Sequence, residues 1–144
     1  MILKKCVKCA PIIFTLLLCS CANENGNISV PEYSESVTVF EGYRKITAEE
    51  AYRMMNELTD YILLDVRTEE EFREIRIENA VLIPDYEISE RAGGELSDKD
   101  ALILVYCRRG RRSENVSREL VEMGYTNIYD FGGIEDWLYE TVSG

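Results

Sequence analysis

The sequence predicts one α/β domain built on a mostly parallel central sheet of about five strands, with helices on both faces. Short continuous apolar runs alternate with segments of helical periodicity, as buried strands and their covering helices do in this class. The chain has 144 residues, enough for one domain with a substantial core but not for two. In such sheets ligands bind where the carboxyl ends of strands meet helix N-termini, so we expect a functional site at that edge.

The N-terminus has the pattern of an export signal. Three lysines precede the apolar residues 11–18, a stretch too short to cross a bilayer as a helix. The following Leu-Cys-Ser-Cys resembles the lipoprotein box of bacteria, which implies cleavage after residue 20 and a lipid anchor on Cys21. The resemblance therefore implies an extracytoplasmic protein held at the bacterial membrane. The alternative is that the apolar stretch forms a buried first helix.

The predicted domain boundaries follow from this signal. Residues 1–20 form the cleaved signal peptide, residues 21–42 the lipidated cysteine with a flexible tether rich in Asn, Ser, Gly and Glu, and residues 43–144 the folded domain. Cleavage and lipidation would leave Cys107 as the only thiol. Exported proteins normally pair their cysteines in disulfides, so a lone thiol is either a buried structural cysteine or a functional one.

Hydrophobic patterning predicts the elements of the folded domain in order. Two helices are expected to begin with capping boxes, Thr47 with Glu50 and Thr68 with Glu71. Gly124 is expected to end the third helix. The predicted elements are a strand at 43–46, a helix at 47–58, a strand at 61–66, a helix at 68–75, strands at 80–84 and 101–106, a helix at 113–124, a strand at 127–131 and a closing helix at 134–140.

The composition excludes several classes of function. The chain has 27 acidic and 16 basic residues and a formal net charge of -11, which argues against nucleic acid as a partner because phosphate binding requires a basic surface. It has no histidine. A Ser-His-Asp site, a histidine-based zinc site and a Cys-His pair are therefore excluded.

A quarter of the basic residues lie beside Cys107. Cys107 ends a predicted strand, Ser113 begins a predicted helix, and the loop between them is Arg108, Arg109, Gly110, Arg111 and Arg112. A tight loop with one glycine can turn backbone N–H groups toward a single point, to which the helix N-terminus adds its positive dipole end. This setting favours a thiolate and attracts anions. Alternatively, arginines point to solvent and pair with the acidic surface, as we expect for two of the four.

Four segments in sequence order resemble the rhodanese-like (sulfurtransferase) domain. They are LLDVRTEEEF, AVLIP, VYCRRGRRS with its Cys-x-x-Gly-x-Arg form, and FGGIEDW with its Gly-Gly-x-x-x-Trp ending. The resemblance covers about residues 43–142 and implies the rhodanese-like three-layer fold. In FGGIEDW, we expect Trp137 to be a core aromatic and the two glycines to form a turn that needs backbone freedom.

The resemblance also implies roles for individual residues. Cys107 would be the nucleophile, which takes sulfane sulfur from an anionic donor such as thiosulfate, becomes a persulfide and passes the sulfur to a thiol or cyanide. Arg108 and Arg112 match working positions of the family, whereas Arg109 and Arg111 match variable positions and are expected to be entrance charges. No cofactor and no metal is implied.

Asp65 and Arg67 match the family's Asp-Val-Arg segment. We interpret them as residues that support the active-site loop from behind. In this interpretation they pair with loop arginines and with Glu71. The alternative, for Arg67, is a plain structural salt bridge.

Loop length and one divergent segment bear on alternative functions. Four residues separate Cys107 from Arg112, whereas related phosphatases have five, so the shorter loop favours sulfur over phosphate or arsenate. Residues 75–80, IRIENA, replace the family's Gly-His-Ile-x-Gly-Ala segment. Asn79 stands at one of the glycine positions, and asparagine tolerates a positive φ better than most residues do. Besides a phosphatase-like or arsenate-reductase-like enzyme, a non-catalytic binding or sensing module and a thiol-redox protein remain alternatives.

Overall fold

The computed structural model describes residues 38–40 and 42–144, and these form a six-stranded sheet flanked by helices. The strands are β1 Thr38–Phe40, β2 Tyr43–Lys45, β3 Ile62–Asp65, β4 Val81–Leu82, β5 Ile103–Cys107 and β6 Ile128–Gly133. The helices are α1 Ala48–Glu57, α2 Glu69–Glu74, α3 Ile88–Glu95 and α4 Arg111–Glu122, with short 3-10 turns at Asp85–Glu87 and Ile134–Asp136.

The sheet has the order β1-β2-β6-β5-β3-β4. All neighbouring pairs from β2 to β4 are parallel, and only the edge strand β1 runs antiparallel to its neighbour β2. The prediction of a mostly parallel sheet of about five strands with helices on both faces is therefore confirmed. The outcome follows from apolar strands that are buried on both sides, since every residue of β5 is buried.

The main hydrophobic core lies between the sheet and helices α3 and α4. Alternate residues of β5, Ile103, Val105 and Cys107, belong to this core together with Val116 and Leu120 of α4. Because successive side chains of a strand point to opposite faces, Leu104 and Tyr106 are buried on the other side of the sheet. The thiol of Cys107 is thus on the face that α4 covers, at the carboxyl end of a central strand.

Local sequence signals account for the starts of α1 and α2. In both helices the predicted capping box is confirmed: Thr47 with Glu50, and Thr68 with Glu71. In each box the threonine side chain accepts from the backbone of the glutamate, whose carboxylate in turn accepts from the backbone N–H of the threonine.

Two predictions of helices are wrong. The expected closing helix at 134–140 is only the 3-10 turn Ile134–Asp136, because Trp137 turns inward to pack on Phe131 with ring centroids 5.7 Å apart. Helix α3 was not expected, because Gly93 and Gly94 lower the helical propensity of its sequence. Burial of Ile88 and Ala92, and hydrogen bonds donated by the Tyr125 hydroxyl to the carbonyls of Ala92 and Leu96, hold it in place.

Several element boundaries also differ from the sequence prediction. Helix α4 begins at Arg111, two residues earlier than expected. Strand β1 lies within the segment expected to be tether, because its backbone pairs with β2. Residues 1–37, with Cys21 and the predicted signal peptide, lie outside the described residues. Among those the structure does describe, no helix has the length and apolar character needed to cross a membrane.

Candidate active site

Cys107 lies at the bottom of the predicted loop, where β5 ends and α4 begins. Its side chain is 1% exposed, and its Sγ accepts a hydrogen bond from the backbone N–H of Gly110 at 3.1 Å. Gly110 has φ 91°, a left-handed conformation that favours glycine, and it caps α4. The loop therefore turns an N–H group toward the sulfur, as its single glycine predicts.

A Gly-Gly turn at the end of β6 packs directly against this loop. A Cβ on Gly133 would lie 2.5 Å from the carbonyl oxygen of Arg108, so only glycine fits there. Gly132 has φ 87° and its Cα lies 3.4 Å from the Cβ position of Gly110. The hydroxyl of Ser113 donates to the carbonyls of Gly110 and Gly132, at 3.0 and 3.3 Å, and so joins the loop, the turn and α4.

Arg112 is held by a carboxylate that sequence reasoning did not assign to the site. Its two terminal nitrogens donate to the two carboxylate oxygens of Glu71, each at 2.8 Å. Glu71 is also the capping residue of α2, so one carboxylate links that helix to the loop. The hydrogen bonds from Arg112, aided by those from Thr68, lower the pKa of Glu71 to about 2.

Arg108 and Arg109 share a second carboxylate. Their Nε atoms donate to the two oxygens of Glu135 at 2.8 and 2.9 Å. Hydrogen bonds from Arg109 and then Arg108 lower the pKa of Glu135. Arg111 is exposed and makes no ion pair with any residue that the structure describes. The geometry thus groups Arg108 with Arg109, whereas the sequence grouped Arg108 with Arg112.

Asp65 and Arg67 form a buried ion pair with each other. The Nη2 of Arg67 lies 2.6 Å from Oδ2 of Asp65 and also donates to the carbonyl of Ile75 at 2.6 Å. The two side chains are 0% and 2% exposed. The expected pairing of Asp65 and Arg67 with the loop arginines and Glu71 is wrong, because each finds its charged partner two residues away in the sequence. The alternative of a plain structural salt bridge for Arg67 is confirmed.

The arginines and Cys107 surround a pocket of about 290 Å³ lined by Cys107, Arg108, Arg109, Arg111 and Arg112. A second cavity of about 380 Å³ adjoins it, and Arg108 lines both. Four arginine residues line the first pocket, and a guanidinium group cannot lose its charge at any physiological pH. It can therefore attract an anion toward the buried sulfur of Cys107.

The divergent segment 75–80 is tied to the C-terminus. The backbone of Arg76 pairs with that of Val142, and its guanidinium donates to the carbonyl of Gly144 at 2.6 Å. Asn79 has φ 63°, so it takes the positive-φ role expected for it. Neither residue lines the Cys107 pocket.

Sequence reasoning located the sulfur and its loop but missed Glu135 and the buried Asp130, and it named Glu71 only as a partner of Asp65 and Arg67. Asp130 Oδ1 accepts from the N–H of Gly132 at 3.0 Å, beneath the turn that supports the loop. Glu71 could have been suspected, because it follows the strand that ends at the same edge as Cys107. The pairings themselves depend on contacts between residues 26 to 41 positions apart, which local patterns do not reveal.

Comparison with known proteins supports the likeness seen in the motifs. A family model described as the rhodanese-like domain matches residues 47–140. Thiosulfate sulfurtransferase PspE of Escherichia coli is 36% identical over 81 residues, which are 56% of this chain and 78% of that protein. Thiosulfate sulfurtransferase GlpE of Coxiella burnetii is 35% identical over 79 residues, 54% of this chain and 72% of that one.

Solved structures show the same fold. A rhodanese with anions from E. coli has a TM-score of 0.55 at 34% identity, and the match covers 58% of this chain and 99% of that chain. A rhodanese-related protein from Thermoplasma volcanium has a TM-score of 0.62 at 30% identity, with 71% of this chain and 100% of that chain covered.

Proposed function

The chain belongs to the rhodanese-like domain family, and we propose that it is a sulfurtransferase that works through a persulfide on Cys107. It takes sulfane sulfur from an anionic donor such as thiosulfate and passes it to a thiol or cyanide. One observation carries this proposal: the sulfur of Cys107 accepts a backbone N–H and lies in a pocket lined by four arginines.

The first half of the reaction needs no general base. The Cys107 thiolate attacks the sulfane sulfur of thiosulfate, a Cys–S bond to that sulfur forms, and the bond to the sulfonate sulfur breaks. The electron pair leaves with sulfite, so charge and electrons balance without a proton. The outer persulfide sulfur is anionic, and the N–H of Gly110 and the arginines beside it favour negative charge there.

The names of the relatives and the length of the loop both support this chemistry. The E. coli and Coxiella burnetii proteins are both thiosulfate sulfurtransferases. The loop has four residues between Cys107 and Arg112, one fewer than in the related phosphatases, so its cradle is smaller than a phosphate requires. We therefore prefer sulfur transfer to phosphate or arsenate chemistry.

The test is thiosulfate:cyanide sulfurtransferase activity together with the intact mass of the protein after exposure to thiosulfate. We expect turnover and a mass gain of one sulfur atom in the wild type, and neither in Cys107→Ser. A wild-type protein that binds thiosulfate without gaining sulfur would instead be a binding or sensing module.

We also propose that the protein is a lipoprotein anchored outside the cytoplasm through Cys21. The support is the order of basic residues, a short apolar stretch and Leu-Cys-Ser-Cys at its N-terminus. Replacement by Cys21→Ala should move the protein from the membrane fraction to the soluble fraction of the bacterium. Equal membrane retention of the variant and the wild type would contradict the anchor.

A further inference from the structure

The second cavity, of about 380 Å³, is not used by transfer of sulfur from the donor to Cys107. It lies between α2 and the segment that follows β6. Ile75 and Glu74 lie on the α2 side, and Trp137 and Tyr139 on the other. Arg108 lines both this cavity and the Cys107 pocket, so one side chain is common to the two.

Two ion pairs link the lining of one cavity to the lining of the other. Glu71 and Glu135 line the second cavity, whereas their partners Arg112 and Arg109 line the Cys107 pocket. All four loop arginines therefore line the pocket that suits an anionic donor, although Arg108 also lines the second cavity. The carboxylates border the second cavity, which suits a ligand of the opposite charge.

One carboxylate of the second cavity is available to a ligand. Glu74 is exposed and has no ion-pair partner within residues 42–144. The buried base on this wall, Arg67, is already paired with Asp65 and also donates to the carbonyl of Ile75. A positive charge that enters the cavity therefore meets Glu74 without displacing an internal partner.

Stacked aromatic rings form the opposite wall. The ring of Tyr139 stacks on that of Tyr52 with centroids 3.6 Å apart, and the ring of Trp137 meets Tyr139 edge-on at 5.0 Å. Each ring is held by its neighbours, so the wall offers a fixed apolar surface to the carbon chain of a small molecule.

We propose that this cavity receives the sulfur acceptor and favours a small thiol that carries an ammonium group. The inference rests on the proposed function. The acceptor thiolate attacks the outer sulfur of the Cys107 persulfide, a new S–S bond forms, and the bond from that sulfur to Sγ breaks. The electron pair returns to Cys107 as thiolate, and the sulfane sulfur is neither oxidised nor reduced.

The kinetic test uses persulfidated full-length protein and three thiols of similar size: cysteamine, which is cationic, neutral 2-mercaptoethanol, and anionic 3-mercaptopropionate. Glu74→Gln should slow transfer to cysteamine about threefold, leave 2-mercaptoethanol unchanged and speed 3-mercaptopropionate about twofold. Comparing variant with wild type for each thiol cancels the intrinsic reactivities of the thiols.

Glu70→Gln is the matched control, because Glu70 is exposed on the same helix and lines neither cavity. It should change each rate by less than about 1.5-fold. A Glu74→Gln variant that alters all three rates by one factor, or a Glu70→Gln variant with the same charge pattern, overturns the proposal.

A binding measurement separates this inference from the proposed function. In Cys107→Ser protein, the thioether 2-(methylthio)ethylamine should cause a saturable change in the fluorescence of Trp137, the single tryptophan. Glu74→Gln should weaken it, and 3-(methylthio)propionate should cause none. If the wild type forms no persulfide but this binding is seen, only the proposed function fails. Absence of saturable binding of the cation overturns the assignment of the cavity.

Discussion

At the scale of single residues, Glu135 controls how much positive charge an incoming donor meets. Its carboxylate bridges Arg108 and Arg109, while Arg111 stays open beside the Cys107 pocket. A thiosulfate dianion, as the proposed donor, would therefore compete with an internal carboxylate for two of the four guanidinium groups. The Glu71–Arg112 pair differs, because it is bidentate, only 22% exposed and part of a helix cap.

Removing the charge of Glu135 should strengthen donor binding. We expect Glu135→Gln to lower the KM for thiosulfate about threefold with little change in kcat, since the gain is in the ground-state encounter with an anion. The effect should shrink as ionic strength rises. Glu114→Gln is the control, because Glu114 pairs with Lys45 and Arg118 and lies outside the pocket. An unchanged KM in Glu135→Gln would contradict competition for the arginines.

Much of the candidate site at this scale could be predicted from the sequence. The rest could not, and the reason is physical. Cys107, Gly110 and the arginines are consecutive in the sequence, so their proximity needs no knowledge of the fold. The partners Glu71 and Glu135 reach the loop from separate elements. Which arginine each carboxylate takes depends on where α2 and the turn after β6 come to lie.

At the scale of elements, the loop after β5 is shaped by Gly132 and Gly133, the two glycines at the end of β6. Ser113 bonds to carbonyls of both, and Gly133 leaves no room for a side chain beside Arg108 and Arg109. The pairing of β5 with β6 shifts register between Val105 and Cys107, which is where the strands diverge to make this contact. The anion pocket is thus a product of two loops packed together.

Adding one methyl group to this contact should damage the site. We expect Gly133→Ala to destabilise the protein by about 1–3 kcal/mol, because the new Cβ would lie 2.5 Å from a backbone oxygen. Sulfurtransferase activity should fall at least about tenfold, since about 1 Å of misplacement in a positioned site has larger effects still. Thermal unfolding and the thiosulfate assay give the two values.

Gly93→Ala is the matched control within the same protein. Gly93 is helical and exposed, and a Cβ there meets nothing within 4 Å. Alanine should stabilise α3 by about 0.5–1 kcal/mol and leave activity unchanged. Equal effects of the two substitutions would show that the contact between the turn and the loop does not shape the site.

The same scale shows what sequence patterns predict about elements. Local apolar runs predict strands β3 and β5. Thr-x-x-Glu signals predict the caps of α1 and α2. Helix α3 has no comparable signal, because Ile88 and Ala92 are its only buried residues and two glycines follow them. The segment 134–140 has helical composition but packs as irregular chain, since burial of Trp137 outweighs propensity.

At the scale of the whole molecule, two carboxyl groups give stability opposite dependences on pH. Arg112 holds the pKa of Glu71 at about 2, below its unfolded value. That contribution is present above the unfolded pKa and is lost as pH falls toward 2. Burial raises the pKa of Asp130, so the folded state binds that proton more tightly than the unfolded chain does. The contribution of Asp130 is present in acid and is lost as pH rises through its folded pKa.

Neutralising Asp130 should therefore stabilise the protein at neutral pH. Asp130 is fully buried, and its Oδ2 has no hydrogen-bond partner among the residues that the structure describes. An ionised carboxylate is costly there, whereas an asparagine can still accept from the N–H of Gly132. We expect Asp130→Asn to raise the free energy of unfolding by about 1 kcal/mol at pH 7.5, with the difference vanishing near pH 4.

Urea unfolding between pH 4 and 7.5 measures this difference. Asp60→Asn, at an exposed position, is the control and should show no such trend. A loss of stability in Asp130→Asn that grows as pH rises from 4 to 7.5 would mean that the charged carboxylate is itself stabilising beneath the loop.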